Sequence, residues 1–138
     1  MKKIILVVLI ALALPIGGYF GYGYYQEKQV EAKAAKEIEE IALKRFLTDT
    51  ITTNLASNEF AVVQFAIELD KVEGREVLDN YAPEVRAAVI STMTSLERQE
   101  LQGEQGLETL ESRMKEAVQE IIPSEKVVRV MVTEFKVQ

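Results

Sequence analysis

Between residues 48 and 70 the apolar side chains recur at every second position. Ile51, Thr53 and Leu55 alternate with polar neighbours, residues 56–59 supply a turn, and Ala61, Val63, Phe65, Ile67 and Leu69 share one face of the next stretch. That pattern predicts a β-hairpin. Glu68 and Asp70 fall on the opposite face near its end, which predicts a wet surface there. The period then changes. A short helix is expected over 75–80, and Pro83 is suited to be the first residue of a longer one, because its fixed φ matches the helix and its missing donor is not needed there. Val85, Val89, Met93 and Leu96 recur at helical spacing. After a break around Gly103 and Gly106, so do Leu107, Leu110, Met114, Ala117, Val118 and Ile121, until Pro123 stops the run. Both stripes read as core facing a sheet.

The segment VVRVMVTEFKVQ, residues 127–138, reads as a further strand tied into that sheet, with a change of phase inside it. Val128, Val130 and Val132 are apolar on even positions, whereas Phe135 and Val137 are apolar on odd ones. A strand has period two, so the shift predicts a bulge near Thr133. The order β-β-α-α-β over residues 48–138 gives one α+β domain with its helices on one side of an antiparallel sheet.

Upstream, residues 27–47 are rich in Ala, Glu and Lys and contain neither Gly nor Pro, which predicts a helical linker. Val30, Ala34, Ile38 and Ile41 form a narrow apolar stripe on this charged rod. Such a stripe suits a helix that touches a partner on one side, and it equally suits a stiff spacer with incidental apolar positions.

Residues 4–26 carry no charge over 23 positions, roughly 34 Å as a helix against a hydrocarbon core of about 30 Å. Residues 1–26 thus read as a cytoplasmic tip and a transmembrane helix. A cleaved signal peptide is the competing reading, since Lys2 and Lys3 precede an apolar stretch and Ala11-Leu12-Ala13 resembles a cleavage site. The uncharged run continues past that point into Tyr19, Phe20, Tyr22, Tyr24 and Tyr25, aromatics that favour a membrane interface. By the positive-inside rule Lys2 and Lys3 place the amino terminus in the cytoplasm and the rest of the chain outside. Ala13, Gly17 and Gly21 lie four apart and predict a smooth ridge for close helix packing, with Pro15 as a kink.

Charge and composition narrow the chemistry. Residues 48–138 hold nine basic against seventeen acidic side chains, so the outer domain is acidic, which disfavours nucleic acid and anionic lipid as partners. The chain contains no His and no Cys, which removes thiolate zinc sites, Cys-His pairs and the Ser-His-Asp triad. No catalytic, cofactor or metal residues are assigned, and no small-molecule substrate is expected. Paired acids such as Glu68 and Asp70 are the one enzymatic alternative, and a solvated strand end is the simpler explanation of them.

The strand FAVVQFAIELD, the helix opening APEVRAAVISTMTS, the helix GLETLESRMKEAVQEII and the ending VVRVMVTEFKVQ together resemble the FliL family of flagellar basal-body-associated membrane proteins. The TEF-V-Q pattern of Thr133, Glu134, Phe135, Val137 and Gln138 is the most specific part. The turn ASNEF is shorter than the glycine-rich loop common in that family. The resemblance implies a single-pass inner-membrane protein with a periplasmic, stomatin-like domain, assembled by self-association into a ring around the ion-driven stator units. Its implied role is support of motor torque, and so of swimming and swarming motility and the chemotaxis that depends on it. Arg75, Arg86, Glu97 and Arg98 are surface charges available for ring contacts. A general single-pass envelope scaffold with a FliL-like domain and another membrane partner is the alternative.

Overall fold

The computed structural model describes residues 28–138. The expected transmembrane helix, with Pro15 and the ridge of Ala13, Gly17 and Gly21, lies outside these residues. Among the described residues no helix is long and apolar enough to cross a membrane.

Residues 28–43 form the first described helix, α1. The sequence pattern carries that helix to Leu47, but the structure ends it earlier and makes Arg45–Leu47 a strand, β1. The cause is tertiary. Arg45, Phe46 and Leu47 pair with Glu68, Ile67 and Ala66, which buries Phe46 in the core, and this outweighs a local helix preference worth only tenths of a kcal/mol per residue. Residues Ile41–Gln138 make one compact unit. Residues 28–40 belong to a separate one.

The hairpin is present as β2 (Ile51–Asn54) and β3 (Phe60–Leu69), joined by a turn in which Asn58 takes a φ of 66°. Two helices follow, α2 (Val72–Asn80) and α3 (Ala82–Thr94), so Pro83 is the second helical residue rather than the first. A 3-10 turn over Arg98–Leu101 leads into α4 (Gly103–Ile121), and β4 (Val127–Val137) completes the order. The succession is therefore β-β-β-α-α-α-β, an α+β domain in which α2 is the short helix expected over 75–80 and β1 is a strand beyond the β-β-α-α-β order.

β3 is the centre of an antiparallel sheet. β4 lies along one side, and β1 and β2 lie end to end along the other. Ala61, Val63, Phe65, Ile67 and Leu69 point into the core, each at most 1% exposed. Val85, Val89, Met93 and Leu96 from the α3 region meet them, as do Leu110, Met114 and Val118 from α4. The two helical stripes thus cover one face of the sheet, as the periodicity predicts.

The bulge near Thr133 is present. Gln64 pairs with Glu134 and Phe65 with Val132, leaving Thr133 extra. A second irregularity, not anticipated, leaves Val128 extra between Arg129 and Val127 and turns it outward. The pair of shifts explains the whole valine pattern, because Val127 and Val130 are buried while Phe135 and Val137 pack against the same core. On the other side, the pairing of β1 and that of β2 with β3 differ by one residue, and the break falls over residues 48–50. Both flanks of β3 are therefore irregular at the level of Gln64 and Phe65.

Candidate interaction surfaces

The open face of the sheet carries rows of side chains set by strand register. In one row Glu68 of β3 stands between Arg45 of β1 and Arg129 of β4, and its Oε2 is 3.5 Å from one guanidinium and 3.0 Å from the other. Glu68 is well shielded, whereas Asp70 is exposed. Glu68 is thus engaged in a cross-strand ion triplet, while Asp70 faces water. The next row is Leu47, Ala66 and Met131, with Leu47 56% exposed at the sheet edge.

A third row is polar and structural. Gln64 Nε2 donates to the Thr48 carbonyl at 3.0 Å, while the Thr133 hydroxyl donates to the Gln64 carbonyl at 3.1 Å and to Gln64 Oε1 at 3.2 Å. One amide thus links both irregular flanks across the central strand. Sequence reasoning passed over Thr48 and Gln64, because polar positions in an alternating strand look like ordinary solvated ones.

The two sheet edges are treated differently. Along β4, three residues of α4 spaced by four reach the free backbone. Glu111 accepts from the Val132 N–H at 2.8 Å, Lys115 donates to the Val128 carbonyl at 2.8 Å, and Gln119 accepts from the Val127 N–H at 3.0 Å. These contacts close that part of the edge, and they lie beside the two register shifts of β4. Along β1 and β2 the edge instead borders a cleft of about 420 Å³. Phe46, Ile51 and Val85 form its floor, and Asp49 and Arg86 stand at its rim.

The expected contact residues are dispersed. Arg75 lies on α2, with Nε 3.9 Å from Asp79, and Arg86 lies on α3 beside the cleft. Glu97 and Arg98 open the 3-10 turn, where Glu97 N–H donates to Glu100 Oε2 at 2.9 Å and Arg98 pairs with Glu59 at 3.0 Å. Ser57 Oγ donates to Glu59 at 2.6 Å and accepts the Arg98 N–H at 3.2 Å. The hydrogen bond from Ser57, together with the hydrogen bond and charge of Arg98, holds the Glu59 carboxyl below its usual pKa. The hydrogen bond and charge of Lys136, with a contribution from Thr50, do the same for Glu134. On α1, Val30 and Ile38 are about two-thirds exposed and Ala34 is exposed, and Ile41 is also exposed.

Residues 45–138 match the family model described as flagellar basal body-associated protein FliL, a match that begins at the first residue of β1 and takes in the whole sheet. A flagellar protein FliL of Bacillus subtilis (strain 168) is 30% identical over 126 residues, 91% of this chain and 88% of that protein. The row of pairings that starts at Arg45 and the bulged strand that carries Thr133 are thus part of one family domain, and the chain belongs to the FliL family of flagellar basal body-associated proteins.

Proposed function

We propose that this chain is a single-pass inner-membrane component of the flagellar basal body that associates with stator units and supports motor torque. Its α+β domain stands in the periplasm and self-associates into a ring around the stator. The observation that carries the reading is family membership across the entire α+β domain. The uncharged run of residues 4–26 behind Lys2 and Lys3 supplies the anchor and its orientation. The exposed apolar residues Val30, Ala34, Ile38 and Ile41 supply a surface for stator helices, and Ala13, Gly17 and Gly21 a ridge within the bilayer. Arg75, Arg86, Glu97 and Arg98 supply charges for contacts between ring neighbours.

Crosslinking from Ile38 in cells, with identification of the captured protein, tests this reading. Recovery of a stator subunit is expected, and Gly21→Leu should weaken it. Reproducible capture of an unrelated membrane complex, with swimming, swarming and torque unchanged on deletion of the gene, would replace it by a general envelope scaffold.

A further inference from the structure

The free edge beside the cleft has the makings of a strand acceptor. Leu69 N–H donates to the Lys44 carbonyl at 3.0 Å and Thr48 N–H donates to the Phe65 carbonyl at 2.9 Å. Backbone groups alternate in direction along an antiparallel ladder, so the N–H and C=O of Leu47, between these inward-bonding residues, point away from β3. Among the described residues no hydrogen bond uses them. Leu47 is among the residues lining the 420 Å³ cleft, whose floor is Phe46, Ile51 and Val85. Across it stands the start of α3, with Pro83 and Arg86.

Size and charge select the occupant. The cleft is within the range of about 300–1,000 Å³ typical of ligand pockets, with room for one or two apolar side chains. An edge a few residues long falls far short of the roughly 800 Å² per partner that a stable folded interface needs, which disfavours a second copy of the domain. Asp49 and Arg86 are exposed and make no ion pair among the described residues, so the rim offers one charge of each sign. The opposite edge, over Val127 to Val132, is closed by the α4 side chains.

We propose that this cleft binds an extended peptide segment of another protein as an added strand. Its backbone pairs with Leu47, an apolar side chain enters the floor, an acidic side chain meets Arg86 and a basic one meets Asp49.

Selection of a displayed library of short random peptides on the full chain tests this. Recovered peptides should share an apolar anchor flanked by an acidic and a basic residue. Arg86→Glu should weaken them by about tenfold, and replacing the peptide's acidic residue by lysine should restore binding to that variant. N-methylation along the peptide should abolish binding at the one residue whose N–H meets the Leu47 carbonyl and be tolerated at its neighbours, a readout that leaves the protein untouched. The proposal fails if no peptide is selected, if Arg86→Glu and Asp49→Lys leave affinity unchanged, or if methylation weakens binding at no single position. It fails equally if bound peptide protects the amides of β4 and not that of Leu47, or if peptides merely displace a second copy of the chain from this edge.

Discussion

The backbone N–H of Phe65 donates to the hydroxyl of Thr48 at 3.0 Å, taking a side-chain oxygen where a regular ladder would offer a carbonyl. The Thr48 carbonyl is turned to the Gln64 amide, and its hydroxyl donates onward to the Asp49 carbonyl at 3.0 Å. Thr48 is the only buried polar residue among those described. Thr48→Val keeps the shape and removes the acceptor, leaving a buried N–H unpaired, which should cost about 1–3 kcal/mol. Urea unfolding should show a lower midpoint with an unchanged slope, and Thr48→Ser should recover most of the loss.

That relationship marks the boundary of what the chain reveals when read alone. The hairpin, the helical stripes and the Thr133 bulge follow from spacing, because each rests on many apolar positions agreeing with one period. β1 does not, since Arg45, Phe46 and Leu47 continue a run of strong helix formers and become a strand only through β3, some twenty residues later. The second bulge was hidden for a related reason: Val128 and Val130 look equivalent until Val127 is seen to take the buried position. The edge contacts of Glu111, Lys115 and Gln119 resemble any solvated helix face in sequence. Their spacing of four is visible, but the backbone groups they reach are set by a strand that lies elsewhere in the chain.

Gly106 looks in sequence like part of a break, and it is instead a buried position within α4. A Cβ there would lie 2.5 Å from the Leu101 carbonyl carbon and 2.8 Å from the Glu100 oxygen, both backbone atoms that side-chain rotation cannot move. Gly106→Ala should therefore force α4 away from the 3-10 turn at a cost of about 1–3 kcal/mol. Gly103 differs, with a φ of 70° but open space around it, so Gly103→Ala should cost roughly 1–2 kcal/mol from backbone strain alone. Gly103→Asn should be milder than Gly103→Ala because Asn tolerates that conformation, whereas Gly106→Asn should be worse than Gly106→Ala. Thermal unfolding of the four variants checks the distinction.

Acid stability should report the contacts of Glu59 and Glu134. Both carboxyls are held below the ordinary value of 4.5, so both bind protons less readily in the folded chain than in the unfolded one. Their contribution is present above pH 4.5 and is lost as the pH falls through the lowered folded values. Glu59→Gln and Glu134→Gln should be less stable than the parent near neutrality. The difference should shrink as pH drops below 4.5. Denaturant midpoints measured across that range check the sign, and a gap that widened with acid would contradict it.

The α4 residues along β4 give a prediction in which stability and association move together. Gln119 accepts the Val127 N–H and also donates to the Ile122 and Glu125 carbonyls at 3.2 and 2.6 Å, tying the turn after α4 to the start of β4. Gln119→Leu should leave three backbone groups to water or unpaired and cost about 1–3 kcal/mol. Glu111→Leu removes one acceptor, from Val132, and should cost less, about 1 kcal/mol. The double variant frees the N–H groups of Val127 and Val132 on that edge and leaves only the Lys115 contact to the Val128 carbonyl. Light scattering should then rise with concentration for the double variant and stay flat for the parent, because an uncovered edge is a template for pairing with another chain. Adding a lysine on the outward Val128 should suppress that association without restoring stability, since charge opposes edge pairing but replaces no hydrogen bond.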